Sequence, residues 1–397
     1  MRALLRHRSF RLLWSAQTVS SFGDALTSLA LLLTAQRLTG STAAVAATAI
    51  AIALPQLIVG LPAGVLVDRW DRRRVMIASD LVRAVLVLGF LAVTTADRLW
   101  LLYALAFAQS AVGTFFRPAR ATLLAQVLPA DRLLPANSLT ETARVVAGVA
   151  GVGAAGALAS VSSSLSVVFV VDAATFLVSA ALVASVREAA PQRRGERLAA
   201  DLVGGLRLVW SSRILAGVVT AGTIAMFGLG AVNVLLVPFV VDDLGASEAW
   251  FGALEGAQVA AMVAAGALVA AYSSRVQPLR LVTAGALGLG ASVAGIAACT
   301  TPWHLLLLLF AAGWFLTPLQ AAVTTVLQTA VPPELRGRAQ ASFATLVGAA
   351  GLASMSLAGA AASIAGTRAV FLAAGTVVAL AGLASLAVFP TTVVEVQ

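Results

Sequence analysis

The chain has 397 residues, 60% of them hydrophobic and 11% charged, with a mean hydropathy of +0.96, which excludes an ordinary soluble domain and implies an integral membrane protein. Its formal charge of +9 rests on 26 basic residues that are all arginine and lie scattered between apolar runs, a pattern that topology explains better than nucleic-acid binding. The absence of lysine excludes a Walker-type phosphate loop, a single cysteine excludes an internal disulfide framework, and two widely spaced histidines make no recognisable metal cluster.

Met1 to Arg11 carries Arg2, Arg6, Arg8 and Arg11 ahead of a long apolar segment, as a signal peptide would. That segment runs past about 20 residues without a clear cleavage context and reads as an uncleaved first span. At about 20 apolar residues per crossing, spans are expected near 12–36, 43–67, 75–95, 99–125, 137–160 and 164–186. A second set is expected near 213–240, 248–272, 280–300, 303–330, 339–364 and 368–389. The chain thus divides into an N-terminal half (1–186), a polar linker (187–212) and a C-terminal half (213–397). Within the linker, the DLVGGLRLVW stretch at 201–210 has the pattern of an amphipathic surface helix.

Arginine placement sets the expected orientation. With a cytoplasmic N-terminus, the inner segments hold 19 arginines and the outer loops only Arg37, Arg98 and Arg368. This bias places both termini in the cytoplasm of a multi-pass protein of the cell membrane. Trp100, Trp250 and Trp303 each open a span from the outer side, and Trp14 and Trp210 sit at inner rims, as interfacial anchors do.

The halves also echo each other. Phe116-Arg117-Pro118 has a counterpart in Leu316-Thr317-Pro318, Pro129-Ala130-Asp131-Arg132 in Pro332-Pro333-Glu334-Leu335, and Leu38-Thr39-Gly40-Ser41 in Leu244-Gly245-Ala246-Ser247. A nearly constant offset implies two copies of a six-span unit.

The stretch Gly60 to Arg74, GLPAGVLVDRWDRRR, ends an apolar run in a glycine, an aspartate and a burst of arginines. Gly64 and Asp68 lie four apart on one helical face, so a second helix can approach at the glycine and meet the carboxylate one turn later. The stretch resembles the loop signature between the second and third spans of the major facilitator superfamily, G-x-x-x-D-R/K-x-G-R-R/K, with Asp71 in place of the late glycine. Phe10 to Trp14, Ser20 to Asp24, Arg37 to Ser41, Phe116 to Arg120, Pro135 to Ser138 and Arg336 to Arg338 look like its efflux branch, which includes the enterobactin and macrolide exporters. The resemblance covers essentially the whole chain. It implies an all-α integral membrane fold of twelve transmembrane helices in two pseudo-symmetric six-helix halves.

Three departures qualify the resemblance. The second copy of the loop motif has Gly266 but Ala270 where Asp68 stands, so the charged joint belongs to the first half alone. The arginine of a fourth-span motif, R-x-x-Q-G, would fall at Ala106 before Gln109-Ser110. The glycine-rich fifth-span motif, represented by Gly148, Gly151, Gly153 and Gly156, lacks its proline.

An ionisable residue inside a span demands a reason. Asp24 lies near mid-membrane and is a candidate proton carrier, with a static ion pair to Arg117 or Arg144, or a helix-packing carboxylate, as the equal alternative. Glu255 and Asp172 lie about two turns inside their spans and are further candidates. For Asp172 the structural role is favoured, because an acid so near the rim reaches water. The resemblance makes Gly64, Asp68, Arg69, Arg72 and Arg73 a gating latch, and Arg120, Glu141 and Arg144 lie close enough to the same rim to join it. Phe22, Gln109, Phe115, Phe116, Arg117, Asn233, Trp314 and Gln320 are candidates to line a substrate cavity. Gly148 and Gly151, echoed by Gly348 and Gly351, permit close helix approach.

No nucleophile-base pair stands in a recognisable context, so an enzyme is not expected. The leading expectation is a monomeric secondary transporter, exporting a small amphipathic molecule such as a drug or siderophore by rocking of two halves, coupled to inward proton movement and needing no cofactor or metal. Its partners are the substrate, protons and the lipid bilayer, with no nucleic acid. An uncoupled facilitator or importer and a transport-inactive receptor or assembly protein are the alternatives.

Overall fold

The computed structural model describes residues 6–67, 70–162, 164–186, 210, 213–272, 277–331 and 336–388. Among them the ordered elements are helices, and no strand occurs. Among the described residues, eleven helical segments are long and apolar enough to cross a membrane. The chain divides into two compact units: Met1–Glu196 with Ser247–Gly252, and Arg197–Ala246 with Ala253–Gln397.

The first unit opens with α1 (Arg8–Thr39), whose N-terminus is capped by the His7 side chain accepting from the Phe10 amide. Gly40 ends it with φ 60°, a left-handed conformation that glycine adopts without cost, and its N–H donates to Gln36 O. Ser41 immediately caps the next helix, α2 (Thr42–Ile58), by accepting from the Ala44 amide. The Arg37 to Ser41 stretch is therefore a stop signal followed by a start signal.

The second expected span is not one helix. It arrives as α2 and a short α3 (Gly60–Val67), separated at Val59. Pro62 supplies the physical reason, since it has no N–H to give to the Ile58 carbonyl one turn back. After α3 come α4 (Arg72–Gly89), α5 (Leu99–Val127), α6 (Ala130–Val161) and α7 (Ser166–Ala184). Helix α1 packs against α6 and α7, and α4 packs against α5 and α7. Phe10, Leu13, Met76, Phe116, Leu123 and Val183 meet in a buried core where α1, α4, α5 and α7 converge.

The second unit contains α8 (Arg213–Pro238), α9 (Trp250–Tyr272), α10 (Pro278–Gly295), α11 (Pro302–Ala330), α12 (Arg336–Ala365) and α13 (Thr367–Val388). Its core packs α10 against α11 and α13, and α8 against α12 and α13. Local features of the first unit recur here. The 18-residue α4 and α10 each end in a single 3-10 turn, at Phe90–Ala92 and Ile296–Ala298. The 29-residue α5 and α11 each carry an internal proline, Pro118 and Pro318. Of the sequence echoes, Pro332 to Leu335 lies outside the described residues, as does the 201–210 stretch apart from Trp210.

Exposed apolar side chains such as Val85, Val161, Leu307 and Ile364 are what helices in contact with lipid present. Cys299, between α10 and α11, is buried instead. Burial pushes its thiol up from the usual range, and neighbouring Arg368 offsets part of that. Arg368 Nη1 also donates to the Ala297 and Cys299 carbonyls at 2.8 and 2.7 Å, closing this turn. Thiol-directed maleimide should therefore label Cys299 slowly in the folded protein and rapidly after denaturation, a difference that mass spectrometry reads directly.

Candidate functional site

The interior of the first unit gathers charge from three helices. Helix α1 brings Asp24, α4 brings Asp80 and Arg83, and α7 brings Asp172. Arg83 donates through Nη2 to Asp24 Oδ1, and its guanidinium carbon lies 4.1 Å from the centroid of the Phe176 ring. An arginine in an apolar bundle gains from both contacts, the carboxylate as counter-charge and the ring face as a weakly hydrated platform. The pair is asymmetric: the Arg83 side chain is 8% exposed and that of Asp24 39%.

Asp172 is fully buried. Thr175, one turn along α7, donates to its backbone carbonyl at 2.8 Å and to Oδ1 at 3.0 Å. Thr27 of α1 stands beside it. This carboxyl lies against α1 only because position 23 is glycine, since a Cβ there would fall 2.1 Å from Asp172 Oδ1 and 2.2 Å from Thr175 Oγ1. The expectation that Asp172 reaches water from near the rim is thus corrected. Its side chain points into the bundle, where α1 seals it.

Asp80 is also fully buried. Ser179 of α7 stands beside it, and Arg83 follows one turn later on its own helix. Each charge placed at a bilayer centre costs about 2.5–3.5 kcal/mol on insertion scales. Three carboxyls and one guanidinium in one bundle therefore form an expensive cluster.

In the sequence Asp24 and Asp172 stand as separate candidates, and nothing sets Asp80 and Arg83 beside them. The available signal was Asp80-Leu81-Val82-Arg83, opposite charges three apart inside an otherwise apolar run, which share a helix face. The ion-pair alternative for Asp24 is realised with Arg83, not with Arg117 or Arg144. An arginine thus enters this bundle from α4, while position 106 of α5 is a buried alanine.

A second charged group forms along α5 and α6. Arg144 pairs with Glu141 at 2.6 Å, and Arg117 and Arg120 face the same carboxylate. At the start of α4, Arg73 donates from Nη2 to Ala184 O and from Nε to Val183 O at 3.3 Å, tying α4 to the end of α7, and Arg72 is buried. Asp68 and Arg69 lie outside the described residues, and Gly64 sits within α3. Asp71, which departs from the loop signature, caps α4 by accepting from the Arg74 amide at 2.9 Å. Asp71→Ala should cost roughly 1 kcal/mol of stability through loss of this cap, measurable by unfolding in detergent.

The proposed cavity residues do not share one environment. Phe116 is packed in the core, which corrects its assignment as a lining residue. Phe115 stacks on Trp70 with centroids 6.2 Å apart, Gln109 is buried, and Phe22 is half-buried. Arg117, Asn233 and Gln320 are exposed. Trp314 is half-buried and stacks on Phe310 at 6.4 Å, and Glu255 is half-buried on α9. Gly151 lets α6 approach α1, because a Cβ there would meet Phe22 O at 2.4 Å, whereas Gly148 has no atom within 4 Å of that position.

The comparisons with known proteins agree with this architecture. The profile of the transmembrane secretion effector family matches residues 2–395. The multidrug efflux pump Tap of Mycolicibacterium fortuitum is 30% identical over 365 residues, spanning 87% of each chain. Macrolide efflux protein A of Streptococcus pyogenes is 22% identical over 72% of this chain and 71% of its own. A shorter match, 35% identical over 129 residues, joins the chain to 30% of the uncharacterised transporter YfiS of Bacillus subtilis. Among solved structures, a bacterial homologue of the human lysosomal transporter Spinster superposes with a TM-score of 0.76 at 16% identity, covering 96% of this chain and 97% of that one. The nucleoside transporter NupG superposes with a TM-score of 0.78 at 12% identity, covering 96% of this chain and 100% of that one. With a family profile matched from end to end, the chain belongs to the transmembrane secretion effector family of the major facilitator superfamily, and it is a multi-pass membrane transporter rather than an enzyme.

Proposed function

We propose that the protein exports a small amphipathic molecule across the cell membrane by alternating access, coupled to inward proton movement. The likeness to two efflux proteins over most of the chain supports export, and the macrolides and multiple drugs in their names support an amphipathic cargo. For coupling, the supporting observation is the Asp24–Arg83 pair in the membrane interior, with Asp24 partly open to its surroundings. A carboxylate whose counter-charge is a single guanidinium can exchange that partner for a proton, and the exchange preserves its neutrality.

The orientation in this reading follows the arginine bias, with both termini cytoplasmic. The arginines around Asp68 then lie at the cytoplasmic rim, where Arg72 and Arg73 hold helix ends and gate rather than bind. Glu255 remains a second acid for the coupling route.

The test is uptake of a fluorescent macrolide or another amphipathic drug into inverted vesicles containing the full chain. Uptake should collapse on addition of a protonophore and fall at least tenfold in Asp24→Asn. Uptake indifferent to the protonophore would identify an uncoupled facilitator, and binding without flux would identify a receptor.

A further inference from the structure

The charged group on α5 and α6 has no part in the coupling pair or in the rim contacts of Arg72 and Arg73. Glu141 and Arg144 lie one turn apart on α6, and the Arg144 guanidinium makes both of its contacts, from Nε at 2.7 Å and from Nη2 at 2.6 Å, to the same oxygen, Glu141 Oε1. That carboxylate neutralises one arginine. Arg117 and Arg120 of α5 face it as well, yet neither forms an ion pair among the described residues, and Arg120 Nε is buried without a hydrogen-bond partner. Three guanidiniums around one carboxylate leave two positive charges uncompensated. At about 1.5 Å per residue, Arg117 lies roughly 15 Å and Arg120 roughly 10 Å along α5 from its end at Val127. An arginine set that deep in an apolar bundle turns to water or to a counter-charge and not to lipid. Arg117 and Glu141 are exposed, so the group borders an aqueous recess of the first unit. One turn beyond Arg144 on α6, a Cβ at Gly148 would meet nothing within 4 Å, and Gly151 lies against the backbone of half-buried Phe22. The recess therefore has a basic end and, next to it, open space.

We propose that Arg117, Arg120 and Arg144 form a binding subsite for the anionic head, a carboxylate or a phosphate monoester, of an amphipathic cargo whose apolar body lies along Gly148 toward Phe22. This rests on the export reading above and adds to it the charge that the protein selects among amphipathic molecules. A guanidinium presents a planar fork of N–H donors that matches two oxygens of a carboxylate or phosphate, and donors paired with charge make the stronger hydrogen bonds. Glu141 sets one negative charge against three positive ones, so it orients the arginines toward one place without neutralising them. A bound carboxylate halves the remaining excess. A phosphate monoester, carrying about two negative charges at neutral pH, balances it. Like-charge repulsion among the three arginines falls in either case, which is a gain that a neutral head cannot supply and a cationic head would reverse.

Binding of a matched fluorescent pair to the full chain in phosphatidylcholine nanodiscs tests this. The probes are dansylaminoundecanoate and its methyl ester, which differ in one negative charge, read by energy transfer from tryptophan and corrected against nanodiscs without protein. The acid should bind about tenfold more tightly than the ester, the worth of a charge-assisted contact. Arg117→Gln and Arg120→Gln should each remove most of that preference and leave ester binding unchanged. Glu141→Gln should tighten acid binding alone, because it removes the competing carboxylate, and a purely structural role of Glu141 would not give that gain. Equal binding of acid and ester by the wild type overturns the proposal even where no variant folds, as does a preference that survives intact in both folded arginine variants. Repeating the titration in phosphatidylglycerol nanodiscs separates the sources of the anion. The preference should persist there, and its loss in that lipid alone would give the arginines to a lipid headgroup and overturn the assignment to cargo. Acid preference without uptake of the acid into inverted vesicles defeats the export reading and leaves the anion site standing. Macrolide uptake without acid preference leaves export standing and defeats the anion site.

Discussion

Arg83→Gln is expected to destabilise the protein and abolish coupled transport, and Asp24→Asn combined with it should restore part of the lost stability. Removing the guanidinium leaves Asp24 as an uncompensated negative charge beside two other acids in an apolar bundle. Breaking a fully buried pair from one side costs about 3–5 kcal/mol. The 39% exposure of the Asp24 side chain lowers the expectation here to roughly 2 kcal/mol, because solvent stabilises the orphaned carboxylate. The double variant replaces both charges with neutral amides and removes that penalty, so it should be more stable than Arg83→Gln alone. Denaturant unfolding in detergent, followed by tryptophan fluorescence, provides the comparison. Equal stability of the single and double variants would show that the pair contributes nothing. Loss of the Arg83 side chain also uncovers the Phe176 ring, so part of the destabilisation should persist in the double variant.

Gly23→Ala should destabilise the protein, and Gly148→Ala should not. An added methyl at position 23 would overlap Asp172 Oδ1 at 2.1 Å and Thr175 Oγ1 at 2.2 Å. Those atoms cannot give way cheaply, since Thr175 is held to the Asp172 backbone and both lie in the packed contact between α1 and α7. Overpacking of this kind costs about 1–3 kcal/mol. Here it also turns the carboxyl away from Thr27 and Asp24, so transport should fall with stability. At position 148 nothing lies within 4 Å, and the helix-propensity gain of alanine over glycine, up to about 1 kcal/mol, is free to act. The two variants measured side by side by unfolding and by vesicle uptake should differ in sign of stability change. The same sign in both would mean that the contact between α1 and α7 relaxes more readily than its packing implies.

The legible part of this protein was its membrane character and its helix boundaries. Apolar run length sets the number of crossings because a bilayer demands it, and capping residues such as Gly40 and Ser41 act over a single turn, within reach of local reasoning. The division of the second crossing at Val59 was legible in principle, since Pro62 acts on its own helix. Asp71 shows the opposite limit. Set against a family signature it is a departure, yet set against the helix it begins it is an ordinary N-cap.

Site residues were legible only as intramembrane charges, and their assignment by depth failed where lateral neighbours mattered. Asp172 looked close to water because position along a helix measures depth but not azimuth, and a helix apolar all round gives little sign of which face turns inward. Phe116, chosen to line a cavity, fills the core for the same reason.

By itself, the sequence determined that the chain is a bundle of membrane helices of a transporter family, because lipid leaves no alternative partner for the backbone hydrogen bonds and motif spacing is a local property. Only the tertiary structure decided that Asp24 meets Arg83, that Asp80 belongs with them, and that Gly23 admits Asp172. Those meetings join α1, α4 and α7 across separations of many residues, and they depend on how each helix is rotated about its axis. That rotation is settled by close packing of small residues against large ones, a property of the assembled bundle and not of any one segment.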